Sequence, residues 1–181
     1  TPLEIEKAFE LAHSLDFNSI NADLIAGLPG EELSDFDASL EKIIGLGADN
    51  ITIHSLAVKR ASRLKDEDPV FHYKQSNITN SMTAKGFETL CNRGFEPYYL
   101  YRQKHMAGAG ENMGYCKPEK AGLYNIRIMD EHQSILALGA GAISKRFYPE
   151  ENRLERIPNV SNVGHYINRL DEMIERKDKM F

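Results

Sequence analysis

Apolar positions recur at helical spacing along the first fifteen residues, with Ile5, Ala8, Phe9, Ala12 and Leu15 on one side. Ahead of them Thr1 can cap, Pro2 suits the first helical position, and Glu4 can complete a capping box. An apolar run over residues 19–26 predicts a strand. Residues 34–46 predict a second amphipathic helix, with Phe36, Leu40, Ile43 and Ile44 on one side and Gly45 and Gly47 ending it. Residues 50–56, rich in β-branched side chains, predict another strand. This alternation of helix, strand, helix, strand implies a parallel sheet.

Beyond this point the pattern loosens. Residues 59–77 are polar and irregular and read as a loop or short helix over one end of the sheet. Residues 79–92 predict a helix closed by Gly94, and 95–101 an aromatic strand. Three glycines and a proline make 107–120 a long connection. Residues 123–129 and 134–138 predict strands, paired antiparallel across 130–133. A tight small-residue loop is expected at 139–144, a hairpin or loop at 147–157, and a terminal helix over 163–177, capped by Ser161 or Asn162.

A chain of 181 residues with 41% hydrophobic residues fits one domain, or a large piece of one, with a buried core. Its 22 basic and 27 acidic residues leave a net charge of −5, which argues against a general nucleic-acid binder. No apolar run approaches the roughly 18–20 residues that a membrane helix needs. Two cysteines make no disulfide framework, so a cytoplasmic setting is expected. Histidines 13, 54, 72, 105, 132 and 165 form no short metal-ligand spacing.

The most informative stretch is Asn21-Ala22-Asp23-Leu24-Ile25-Ala26-Gly27-Leu28-Pro29-Gly30-Glu31. It reads as a buried strand that breaks into a turn and then a helix. A strand buried on both faces is nearly all apolar, and an isolated carboxylate within it is costly. Asp23 therefore needs a partner. A bound ligand is one candidate, because α/β folds place ligands near the C-terminal ends of their strands. Asn21, His54 or a backbone turn is the structural alternative.

Asp23-Leu24-Ile25 with Gly27-Leu28-Pro29-Gly30-Glu31 resembles the D-L-I-x-G-L-P-G-E signature of the oxygen-independent coproporphyrinogen III oxidases, a family of radical S-adenosylmethionine enzymes. Residues 138–144, Leu-Gly-Ala-Gly-Ala-Ile-Ser, resemble that family's L-G-x-G-x-x-S segment. Tyr101-Arg102-Gln103-Lys104-His105-Met106-Ala107-Gly108, Asn112-Met113-Gly114-Tyr115 and Leu123-Tyr124-Asn125-Ile126 look more like its HemZ-type branch, the coproporphyrinogen dehydrogenases.

The resemblance implies the C-terminal part of a radical-SAM partial TIM-type barrel, an α/β fold. Parallel βα units over residues 1–58 would be followed by a barrel end and an accessory mixed or antiparallel region over 59–181. It also implies an upstream C-x-x-x-C-x-x-C motif holding a [4Fe–4S] cluster. Cys91 and Cys116 cannot supply three thiolates, so the sequence reads as part of a longer enzyme, with no cluster expected on this part and no activity of its own. In the full enzyme the cluster would cleave S-adenosylmethionine to a 5′-deoxyadenosyl radical. That radical would start oxidative decarboxylation of coproporphyrinogen III to protoporphyrinogen IX in haem synthesis. A reductant protein would serve the cluster. Some members resemble haem-binding chaperones instead, and that rival role stays open.

Carried over residue by residue, the resemblance assigns S-adenosylmethionine contacts to Asp23, to the backbone at Ala57, and to Gly139, Gly141 and Ser144. A carboxylate can accept from ribose hydroxyls and from the α-ammonium group. Close packing is the alternative for the glycine loop. His54 shares a face with Thr52 and reads either as a proton-handling group in the cavity or as a hydrogen-bonded core histidine. Arg60 and Arg102 are the tentative contacts for porphyrinogen carboxylates, set within a cluster of Lys59, Arg63, Lys104, His105 and Lys117 that also reads as a solvated charged face. Tyr98-Tyr99-Leu100-Tyr101 and His105 could face a flat macrocycle. The strand at 19–26 is expected to present an unpaired edge, through which the chain self-associates.

Overall fold

A computed structural model describes residues 1–59, 62–102 and 111–179. The chain divides into two compact units, Thr1–Gly122 and Leu123–Phe181. Compactness thus places the division after the larger sheet.

In the first unit, helix α1 (Pro2–Ser14) starts with the expected capping box, in which Thr1 accepts from the Glu4 N–H and Glu4 reaches back to Thr1. Strand β1 (Asn21–Ala26), α2 (Leu33–Gly45) and β2 (Asn50–Ser55) follow in the predicted alternation. Short helices α3 (Arg63–Glu67) and α4 (Phe71–Lys74) occupy the polar stretch and lead into α5 (Ser76–Asn92). Strands β3 (Glu96–Tyr101) and β4 (Asn112–Cys116) complete a sheet ordered β1-β2-β4-β3. β1 and β2 are parallel, with Asp23 opposite Thr52 and Ile25 opposite His54. β4 runs antiparallel to both of its neighbours. The mixed half of the expected architecture therefore lies in the same sheet as the parallel half.

Helices cover one face of this sheet. Phe9, Phe36, Leu40, Met82 and Leu90 pack with Ala22, Ala26, Ile51, Ile53 and Tyr115 in one cluster. Gly86 of α5 permits the closest approach, since a Cβ there would lie 2.3 Å from Ile53 Cδ1. At the turn after β1, Gly27 adopts φ +87°, and a Cβ on it would meet Thr79 Oγ1 at 2.2 Å. The Gly-Leu-Pro-Gly turn thus owes its first glycine to both a left-handed backbone and the close approach of α5.

The second unit holds α6 (Leu123–Asp130), the hairpin β5 (Ile143–Tyr148) and β6 (Arg153–Pro158), α7 (Val163–Asn168) and α8 (Leu170–Asp178). A 3₁₀ turn at Pro149–Glu151 and Asn152 in the left-handed region close the hairpin.

Four local expectations are corrected. β4 falls inside the expected connection, where Asn112 to Cys116 make sheet hydrogen bonds despite the glycines around them. Residues 123–129 form a helix, whose apolar residues Leu123, Tyr124, Ile126 and Met129 stay exposed rather than lining one face of a strand. Residues 134–138 pair with β5 instead, through reciprocal Ile135 and Lys145 backbone bonds of 2.7 and 2.8 Å. The terminal helix breaks at Arg169, whose φ of −122° ends α7; Asn162 caps α7 through the His165 N–H. Among the described residues no helix is long and apolar enough to cross a membrane.

Candidate functional site

The face of the sheet opposite the helices is polar. Pleating places Asn21, Asp23 and Ile25 of β1 on it, beside Asn50, Thr52 and His54 of β2. The expectation that Asp23 sits in a strand buried on both faces is corrected. Among the described residues β1 pairs with β2 alone, and the Asp23 side chain is 58% exposed. The costly isolated carboxylate is avoided by solvent and by two polar neighbours.

Those neighbours are specific. Asn21 Nδ2 donates to Asp23 Oδ1 at 2.9 Å. The Nε2 of His54 lies 3.5 Å from Oδ2, and the His54 side chain is 23% exposed. The adjacent His54 ring is the main cause that holds the Asp23 carboxyl below the usual range; partial burial opposes it, and Asn21 assists. His54 Nδ1 in turn lies 3.0 Å from the Tyr101 hydroxyl of β3. The chain Tyr101–His54–Asp23 therefore draws on three strands. It gives Asp23 both of its structural partners, Asn21 and His54, and places His54 on the polar face with a hydrogen bond to Tyr101.

Two further tyrosines of β3 reach across β4 to β2. Tyr98 donates to Asn50 Oδ1 at 2.8 Å, and the Tyr99 and Thr52 hydroxyls pair at 2.9 Å. A register shift between Pro97 and Tyr99 lets successive tyrosines serve one face. Gly114 supplies the room, because a Cβ there would lie 1.8 Å from Tyr99 Cε1. Tyr99 and Tyr101 stack with an interplanar angle of 2° and centroids 6.4 Å apart. Burial and the surrounding oxygens push the Tyr99 phenol up. The sequence signals for this ladder are the polar alternation Asn50, Thr52, His54 and the aromatic run at 98–101; their pairing was not foreseen.

At the C-terminal ends of β1 and β2 a cavity of about 390 Å³ is lined by Asp23, Ile25, His54, Ser55, Leu56, Ala57, Lys59 and Tyr101. The structure thus brings together Asp23, His54 and Ala57 from the expected set. Ser55 Oγ, on the alternation of Ile51 and Ile53, and Asn112 Nδ2 are buried with no hydrogen-bond partner among the described residues. The Ser55 N–H itself donates to Asn112 Oδ1 at 2.8 Å. Arg102 is exposed directly after β3. Arg60, Lys104 and His105 lie outside the described residues.

Gly139, Gly141 and Ser144 belong to the second unit. The two glycines adopt φ of +97° and +74°, and no atom lies within 4 Å of a Cβ built on Gly139. Their loop is laced to the segment after β6: Asn159 Nδ2 donates to the Gly139 carbonyl at 2.8 Å, and the buried Lys177 ammonium donates to Asn159 Oδ1 at 2.7 Å. Ser144 is fully buried, and its hydroxyl accepts from the Ala137 N–H at 3.0 Å.

The fit to the implied groups differs between them. A half-exposed carboxylate on a cavity suits a ligand bearing hydroxyl and ammonium groups. A three-thiolate cluster does not suit this chain: its two cysteines are an exposed Cys91 on α5 and a buried Cys116, whose thiol burial pushes up.

An α/β chain with this mixed sheet and a polar site at its parallel strand ends matches a solved enzyme fold. The coproporphyrinogen III oxidase HemN from Escherichia coli, described as a radical SAM enzyme, superposes with a TM-score of 0.59 at 14% identity, over 93% of this chain and 37% of that one. No family model matches the sequence. Among curated proteins, the oxygen-independent coproporphyrinogen-III oxidase-like protein HemZ of Bacillus subtilis is 34% identical over 97% of the chain and 35% of its own length. The heme chaperone HemW of Escherichia coli is 23% identical over 99% of the chain and 44% of its own length. By sequence the chain belongs with the HemN/HemZ-like proteins, and it spans well under half the length of the curated relatives it matches.

Proposed function

We propose that this chain supplies part of the S-adenosylmethionine pocket of a HemZ-like oxidoreductase. The observation that carries the reading is the cavity at the ends of β1 and β2, where Asp23, His54 and Ala57 converge. Asp23 accepts from the ribose hydroxyls, and the backbone at Ala57 lines the adenosine. For Gly139, Gly141 and Ser144 a cofactor role rests on the resemblance of residues 138–144 alone. S-adenosylmethionine, together with a cluster held by cysteines beyond these two, supplies one-electron hydrogen-abstraction chemistry. The chain's own residues bind, orient and exclude water. The substrate is coproporphyrinogen III, which loses carboxylate groups oxidatively; Arg102 and Arg60 are the cations for its propionates. Replacing Asp23 by Ala in the native-length protein is expected to weaken S-adenosylmethionine binding at least tenfold, on the order of one charge-assisted hydrogen bond, with cluster content unchanged. Unaltered binding refutes the assignment.

The similarity to HemW favours a second reading, a haem-binding chaperone without oxidase activity. Haem titration and S-adenosylmethionine-dependent decarboxylation of coproporphyrinogen, run on the same native-length protein, separate the two. Tight haem binding without decarboxylation selects the chaperone.

A further inference from the structure

The Asp23 side chain stands on the polar face of β1, more than half exposed in this chain. Asn21 holds one oxygen at 2.9 Å, and the second faces His54 Nε2 at 3.5 Å. His54 is itself held at Nδ1 by the Tyr101 hydroxyl, 3.0 Å away. A neutral imidazole has one donor and one acceptor nitrogen. Facing a carboxylate, the hydrogen belongs on Nε2, so Nδ1 accepts the Tyr101 O–H. The Asp23 carboxylate, which only accepts, thus sets the tautomer, and the Tyr101 hydroxyl, which can donate, complies and braces the ring from β3. Thr52 of β2 adds a third side-chain contact, and the carboxylate keeps acceptor capacity on the cavity side.

We propose that His54, backed by Tyr101, is a positioning residue that fixes the Asp23 carboxylate for a pair of vicinal hydroxyls on the ligand, and that protonation of His54 weakens that grip. The inference rests on the reading of the cavity as a nucleoside site. Protonation makes Nδ1 a donor, so Tyr101 must turn to accept from it. The imidazolium also engages Asp23 as an ion pair, and the carboxylate becomes a weaker acceptor toward hydroxyls. The groups facing Asp23 are Asn21 on its own strand, Thr52 and His54 on β2, and Tyr99 and Tyr101 on β3, with Lys59 on the same cavity wall. Of these residue types, histidine is the one that changes charge between about pH 5 and 8.

The test titrates 5′-deoxyadenosine into the native-length protein by calorimetry at both ends of that pH range. This probe carries the hydroxyl pair and no group that titrates within the range. The wild type is expected to bind roughly fivefold to tenfold more tightly at the upper end, the worth of about one hydrogen bond. His54→Gln keeps an N–H toward Asp23 and is expected to retain the upper-end affinity within about threefold while losing the pH dependence. His54→Phe is expected to lose about tenfold at the upper end and to be pH-independent. A merely structural role would not separate the Gln and Phe variants in this way. If both variants keep the wild-type affinity and pH profile while Asp23→Ala abolishes binding, this inference alone fails. If Asp23→Ala binds the probe unchanged, the nucleoside reading of the cavity fails first, and the inference falls with it.

Discussion

Replacing Gly114 by Ala tests the tyrosine ladder directly. Gly114 has no left-handed φ, so the backbone accepts Ala without strain. The new Cβ would stand 1.8 Å from Tyr99 Cε1, 2.4 Å from Cδ1 and 2.7 Å from Cζ. To restore an ordinary carbon contact of about 3.5 Å, the ring must retreat by roughly 1.7 Å. The 2.9 Å bond between the Tyr99 and Thr52 hydroxyls cannot survive that shift. Thr52 is 1% exposed, and its hydroxyl is then left with Asp23 alone. Overpacking costs about 1–3 kcal/mol and the lost hydrogen bond about 0.5–1.5 kcal/mol. Reduced freedom of the unfolded chain returns about 0.4–1 kcal/mol. The net expectation is a loss of about 0.5–4 kcal/mol. The chain has no Trp, so urea unfolding is followed by tyrosine emission and far-UV circular dichroism. The midpoint should fall with the slope unchanged. Tyr99→Leu, which removes the ring, should make the same alanine far better tolerated, giving a coupling energy of about 1 kcal/mol or more. A Gly114→Ala protein within about 0.5 kcal/mol of wild type would refute the placement of Tyr99 across β4.

Three further outcomes are expected. Because the Asp23 carboxyl is held low in the folded state, its ionised form stabilises the fold above the ordinary carboxylate range, and that contribution disappears as pH falls through the lowered value; the stability gap between wild type and Asp23→Asn should be at most about 1 kcal/mol near neutrality, as for an exposed pair, and close in acid, and a gap that widens in acid contradicts the assigned cause. Burial pushes the Tyr115 phenol up to about 12, so one tyrosine in an ultraviolet titration should ionise late, and Tyr115→Phe should remove that late step. β1 pairs only with β2 among the described strands, so its outer backbone edge is a template for a second strand; the chain on its own should self-associate in light scattering, whereas a concentrated monomer would show that the edge is locally protected.

The parts of this molecule that were legible in the sequence are those whose determinants are neighbours along the chain. The capping box of Thr1 and Glu4, the helical spacing of Phe36 and Leu40, and the β-branched run from Asn50 each contain their own explanation. The parts that were not legible depend on a partner distant in sequence. Whether Asp23 is buried is decided by the strand that lies, or does not lie, on the far side of β1, and no local pattern encodes this. β4 passes for a loop because Gly114 is chosen for the Tyr99 ring above it, not for strand propensity. The same holds for the site. The alternation of Asn50, Thr52 and His54 announces a polar face, yet each of these side chains is satisfied by a tyrosine more than forty positions away. A bulge between Pro97 and Tyr99 sets which tyrosine meets which partner, and a shift of one residue would turn them to the opposite face. The chemistry of a candidate site can thus be read from residue types on one strand. Its orientation, here the holding of the His54 ring between Asp23 and Tyr101, is a property of register and emerges only when the sheet is assembled.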